Sequence, residues 1–136
     1  MGTTPVAENA IATHNLNLGR FVFYPNLIVG EFAEGVHVTF DNAALLIQMA
    51  TQVYGSEEPI VYISHRINSY SANLVAYKEV LELFPNFKAM AVVSQNRRRR
   101  MLANLERLFI KSPLRVFDTM DDAVKWAQAI LQQSRC

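Results

Sequence analysis

The chain has 136 residues, 51% hydrophobic and 18% charged, which suits one soluble globular domain whose core needs neither metal nor disulfide. Thirteen Lys and Arg against twelve Asp and Glu leave a net charge of +1, which excludes a global field drawing the protein onto nucleic acid or membrane. The one cysteine, Cys136, excludes a disulfide framework and a cysteine metal cluster, and fits a reducing compartment.

Residues 1–12 are small and polar without a clear period and are expected to form a loose tail, leaving 13–136 as a single domain. The first eighteen residues lack the basic start and apolar run of a secretory signal, and no apolar run approaches the roughly 18 residues of a membrane helix. The expected location is the cytoplasm.

From Thr13 the pattern is two-fold: Leu16 and Leu18, then Phe21 and Phe23, read as a first strand with Gly19 at a bulge or bend. Pro25-Asn26 is a turn signal and Leu27 to Phe32 a second strand, so the two form an antiparallel hairpin. Glu34-Gly35 turns again before a short extended piece, Val36 to Phe40. Asp41 is expected to cap a helix that carries Leu45, Leu46, Met49 and Val53 inward and ends at Gly55.

Pro59 to Ser64 is apolar on both faces, as a strand inside a parallel sheet requires. A polar loop follows, then a helix with Leu74, Tyr77, Leu81 and Phe84 on one face, stopped by Pro85-Asn86. Phe87 to Val93 is the next buried strand. Ser94 or Asn96 can cap the following helix, whose expected core stripe is Leu102, Leu105, Leu108 and Phe109. Ser112-Pro113 breaks that helix and Leu114 to Phe117 is a last strand. Thr119 to Asp122 has the form of a capping box opening a helix with Val124, Ala127, Ile130 and Leu131 inward. Alternation of this kind predicts an α/β protein. It would have a five-stranded, mixed but largely parallel sheet, an N-terminal antiparallel hairpin and about four helices.

In such a sheet, loops leaving the C-terminal ends of neighbouring strands share one edge. That edge should gather Ser64, His65, Arg66, Asn68, Ser69 and Ser71, then Ser94 with Arg97, Arg98, Arg99 and Arg100, then Asp118 and Thr119. Ser and Asn favour turns and caps, which is the plain reading of the first group. The functional reading is a recognition or phosphorylation loop, in which hydroxyls sit at a helix N-terminus that favours added negative charge. The four arginines oppose the macrodipole of the helix they open. Either they form a solvated turn with stems lying over apolar surface, or they make an anion site for a phosphate, an acidic protein or a lipid headgroup.

A Ser–His pair could involve His65, but no nucleophile-elbow sequence accompanies it, and no catalytic residue is assigned. His14, His37 and His65 lack ligand spacing, and the glycines form no phosphate loop or dinucleotide fingerprint, so neither metal nor cofactor is expected. Without aromatic interleaving, the arginine run does not point to nucleic acid.

Four stretches together resemble a known family. They are the hairpin with Ile28-Val-Gly-Glu-Phe32 and Glu34-Gly35, the loop Tyr62-Ile-Ser-His-Arg-Ile-Asn-Ser-Tyr-Ser71, the strand Met90-Ala-Val-Val-Ser94, and the ending Val116-Phe-Asp-Thr-Met-Asp-Asp-Ala-Val-Lys-Trp-Ala127. The chain resembles the STAS superfamily, in particular its SpoIIAA-like bacterial members, over roughly Thr13 to Leu131. These motifs are structural rather than catalytic. The resemblance implies a non-enzymatic regulatory or protein-interaction domain. The family's anti-sigma factor antagonists bind a partner kinase through the edge beside a phosphorylatable Ser or Thr at a helix start. By position that hydroxyl would be Ser69 or Ser71, although Asn68-Ser-Tyr-Ser71 stands where the family carries Asp-Ser-Ser/Thr-Gly. The implied partner is an acidic or nucleotide-bearing protein. The alternative is a small ligand or lipid headgroup on the same edge, and the open edge of the hairpin could pair with a second copy of the chain.

Overall fold

In the computed structural model, which describes residues 10–135, the alternating residues near the N-terminus form two strands rather than one. β1 (Ala12–Leu16) and β2 (Gly19–Tyr24) pair antiparallel with Leu16 opposite Gly19, so Asn17-Leu18 is a tight turn. Gly19 has φ 153°, and a Cβ there would stand 2.1 Å from the Glu31 carbonyl oxygen. It is a turn exit pressed against the neighbouring strand, not a bulge. β3 (Leu27–Phe32) continues the meander through Pro25-Asn26, where Asn26 takes a left-handed φ of 61°. Its Nδ2 donates to the Pro59 carbonyl at 2.9 Å, fastening this turn to the start of the central strand.

β5 (Ile60–His65), β7 (Phe87–Val93) and β8 (Leu114–Phe117) extend the sheet in parallel, giving the order β1-β2-β3-β5-β7-β8. The largely parallel sheet with its N-terminal antiparallel hairpin is as expected. It has six strands instead of five because the first apolar run folds back on itself. The short extended piece becomes β4 (His37–Val38), which pairs with β6 (Ser71–Ala72) as a separate parallel ladder.

The helices α1 (Phe40–Tyr54), α2 (Leu74–Glu82) and α3 (Arg97–Arg107) cover one face of the sheet, and α4 (Met120–Arg135) covers the other. α1 is capped by Thr39 rather than Asp41: Thr39 Oγ1 accepts from Asn42 N (3.3 Å) and Asn42 Oδ1 accepts from Thr39 N (2.8 Å). Asp41 lies one position inside the helix, where its charge still suits the positive end of the dipole. Gly55 terminates the helix with φ 72°. Within α1 it is Ala50 and Tyr54 that are buried, while Leu45 and Val53 of the expected stripe are exposed. The Tyr54 hydroxyl donates to the Tyr24 carbonyl (2.6 Å), pinning the helix end to the β2–β3 turn.

α3 departs furthest from expectation. Its buried residues are Ala103 and Glu106, with Ile110 following, so the buried stripe is rotated by about one residue. Leu105 and Leu108, expected in the core, are 51% and 79% exposed beside Met101 at 60%. α4 follows the sequence pattern. Ala123, Val124 and Ala127 pack on Val61, Ile63, Ala89, Ala91 and Val93, with Trp126, Ile130 and Leu131 at the margin. Thr119 Oγ1 accepts from Asp122 N at 3.2 Å, one half of the expected capping box. Among the described residues no helix is long and apolar enough to cross a membrane. The expected tail falls largely on residues 1–9, outside the described residues.

Candidate functional site

The parallel register sets His65, Val93 and Phe117 side by side, and the ladder runs one residue further: Arg66 N donates to Val93 O (3.0 Å) and Ser94 N to Phe117 O (3.1 Å). The loops after β5, β7 and β8 therefore emerge together, as expected of this edge. Strand alternation decides which side chains remain at the edge. Ser64 and Arg66 share parity with Tyr62, which faces α1–α3, so both turn inward beneath α3. They had been expected among the presenting residues, yet they are 1% and 2% exposed.

What draws Arg66 in is Glu106. The guanidinium meets the carboxylate in a two-pronged ion pair, Nη1 to Oε2 at 2.5 Å and Nη2 to Oε1 at 2.8 Å, while Nε donates to Ser64 Oγ at 2.9 Å. The guanidinium carbon lies 5.5 Å from the centre of the Tyr70 ring, which also packs on Phe32 with ring centres 4.7 Å apart. Burial works against the charge on Arg66, but Tyr70 and Glu106 more than offset it and hold the group above its ordinary pKa. Burial likewise pushes the Tyr70 phenol up to about 12, with Arg66 opposing. Tyr62 and Tyr77 are raised as well, again mainly by burial. The Ser64 hydroxyl, close to both phenols, works against the rise at Tyr62 and at Tyr70 through hydrogen bonding. Dispersed charge, full desolvation and two-pronged geometry make this cluster a fastener between β5 and α3.

The four arginines divide. Arg99 Nη1 donates to the Arg66 carbonyl (3.2 Å) and Nη2 to Ser69 Oγ (3.4 Å). Arg100 donates from Nε to the Ser94 carbonyl (2.7 Å) and forms an ion pair with Asp118. Strand ends supply carbonyl acceptors here, and Asn96 caps the helix by accepting from Arg99 N at 3.2 Å. That relieves two of the cations from facing the positive helix end alone. Arg97 and Arg98 stay exposed. Asn68, which also lines this edge, donates from Nδ2 to the Phe32 carbonyl at 3.0 Å.

Two shallow grooves result. One, of about 550 Å³, is lined by His65, Ser94, Gln95, Asn96, Arg99 and Asp118. The other, of about 340 Å³, brings Ser69 and Ser71 beside Arg98 and Arg99. The histidine that meets a serine is not His65 but His37, whose Nδ1 lies 2.7 Å from Ser71 Oγ across the β4–β6 ladder. Among the described residues no three His, Cys, Asp or Glu side chains come together to hold a metal.

The missed elements left faint signals. Tyr62, Ser64 and Arg66 alternate, and Ala103, Glu106 and Ile110 stand at helical spacing. A carboxylate on that second stripe is the partner an inward arginine needs.

This architecture is similar to that of an uncharacterised protein of the DUF3478 family with a SpoIIAA-like fold from Shewanella loihica PV-4. The TM-score is 0.50 and the identity 15%, covering 93% of this chain and 98% of that one. The chain has a SpoIIAA-like fold. No family model matches the sequence, and no curated protein is significantly similar to it. Within the SpoIIAA-like fold, the edge built by β5, β7, β8 and the start of α3 carries cations, hydroxyls and shallow relief.

Proposed function

We propose that this chain is a non-enzymatic, cytoplasmic interaction domain of the STAS type, which docks a protein bearing an acidic or nucleotide-carrying surface. The observation that carries this reading is the outer face of α3. Met101, Leu105 and Leu108 are exposed along it, and Arg97 and Arg98 stand at its N-terminal end. Apolar anchors rimmed by cations form a surface that a complementary partner would desolvate. Ile67, 52% exposed in the loop after β5, adds to the same relief.

A switch like that of the anti-sigma factor antagonists would act at Ser71 or Ser69. Both lie in the groove with Arg98 and Arg99, and a phosphate on Ser71 would also meet His37. The second reading, a phosphate-type small ligand or lipid headgroup on this edge, draws on the same groove and its paired guanidinium groups.

The test uses the full chain as bait in extract from its host, against a variant carrying Arg97→Glu, Arg98→Glu and Leu105→Ser. The variant is expected to lose the proteins captured by wild type. Identical partner sets would sink the proposal. Intact-mass measurement on protein from the same host checks the switch, which predicts a phosphorylated fraction that Ser71→Ala or Ser69→Ala removes.

A further inference from the structure

α3 turns its more apolar side outward. Met101, Leu105 and Leu108 lie exposed at spacings of four and three residues, while the stripe buried beneath them is Ala103, Glu106 and Ile110. The exposed spacing is that of the a and d positions in a seven-residue repeat, the pattern by which one helix packs along another. Two hollows lie beside this row, on the side toward α2. One, of about 340 Å³, sets Leu102 and Arg98 against the chain entering α2. The other, of about 200 Å³, sets Phe109 and Lys111 against Leu81 of α2. Leu102 and Phe109 stand seven residues apart, about 10 Å along a helix. Side chains i and i+7 of a second helix have that same separation.

Charge narrows the choice of occupant. α3 exposes Arg97, Arg98 and Arg107 and no acid, since its one carboxylate, Glu106, is buried against Arg66. A second copy of α3 laid on this row would bring arginine against arginine in either direction. A flat anionic membrane would meet Glu79 and Glu82 as well, both exposed on the neighbouring α2 away from its buried Ala76, Tyr77 and Val80. A single acidic helix following α3 avoids both penalties. Strand addition is not open to a partner here, because a helix has already paired its own backbone groups.

Resting on the reading of α3 as the docking face, we propose that its occupant is an acidic amphipathic helix of the partner, lying antiparallel to α3. Its apolar residues at i and i+7 enter the two hollows and flank Met101, Leu105 and Leu108, and its carboxylates reach Arg97 and Arg98. Antiparallel order also brings the negative C-terminal end of that helix to the positive start of α3.

A three-heptad probe peptide with Leu at a and d and Glu at e and g tests this by methyl NMR on the full chain. It is expected to shift Met101, Leu105 and Leu108 saturably and to bind roughly tenfold tighter than a peptide of the same composition in scrambled order. Leu105→Ser should weaken it roughly tenfold, as loss of a buried leucine contact does. Arg97→Glu with Arg98→Glu should transfer the preference to the same heptads carrying Lys in place of Glu, a reversal that misfolding does not produce. Equal binding of the scrambled peptide, or shifts centred away from α3, would overturn the helix. The acidic partner itself would stand in that case if the α3 variant still loses its proteins in host extract. Leu105-dependent sedimentation with vesicles of equal phosphatidylglycerol and phosphatidylcholine, or a dimer that Leu105→Ser dissociates, would overturn the proposal in favour of a membrane or a second copy.

Discussion

The two faces of the sheet are covered on different terms. Under α4 the strands offer Val61, Ile63, Ala89, Ala91 and Val93, and the helix answers with Ala123, Val124 and Ala127. Small side chains on both partners let helix and strands close on each other with nothing polar between them. Under α1, α2 and α3 the sheet offers Phe21, Phe23, Phe32, Tyr62 and Met90, and large residues meet three separate helices. That face holds the Arg66–Glu106 pair, the four phenols of Tyr54, Tyr62, Tyr70 and Tyr77 with raised pKa, and an apolar cavity. Tolerance and vulnerability should therefore divide by face.

The largest expected effect lies in the ion pair. Glu106→Ala strands a desolvated guanidinium and should cost about 3–5 kcal/mol in urea unfolding. Replacing both partners, Arg66→Met with Glu106→Leu, should cost far less, because neither charge is then left buried alone. Equal losses in the single and double variants would show that the pair itself supplies the stability.

Alkali should also break the molecule on this side. The Tyr70 phenol stays protonated in the folded state to about pH 12, whereas an unfolded tyrosine ionises near 10. With the folded pKa raised, its contribution is intact below about pH 10 and lost as pH rises through about 12. Phenolate absorbance of the buried tyrosines should thus appear together with loss of tertiary circular dichroism. Ionisation near pH 10 in a still-folded protein would contradict the burial assigned to them.

The smallest effect belongs to the α4 face. Ile63→Val removes one methylene from a site without polar neighbours on that side and should cost about 1 kcal/mol, without altering the alkaline transition.

The same division governs what the sequence discloses. The α4 face was legible because Val124, Ala127 and the unbroken apolar strands obey a single rule, burial of apolar residues at regular spacing. The edge position of Arg97 to Arg100 was legible for a similar reason: a helix start after a parallel strand has only one place to go. The sequence misleads on α3, where Leu102, Leu105 and Leu108 outbid Ala103 and Glu106 by hydropathy alone. Only the tertiary partner explains that outcome. Glu106 is buried because Arg66 waits opposite, forty residues earlier in the chain. Likewise Ser64 and Arg66 look like loop residues until their parity with Tyr62 is followed past the end of β5. The apolar cavity depends on how α1 and α2 meet the sheet, which no local pattern encodes.

The short β4–β6 ladder has a consequence for motion. Gly35 N donates to Ser69 O, Ser71 N to Val36 O and Asn73 N to Val38 O, at 2.8, 3.0 and 3.0 Å. Those bonds splint the segment before α2 to the segment before α1, and His37 with Ser71 closes the splint from the side-chain layer. The amides of Ser71 and Asn73 should then exchange with solvent as one unit. A bulky group attached at Ser71 would speed that exchange at both helix starts, carrying a chemical event on one loop to a second loop more than thirty residues away in the chain.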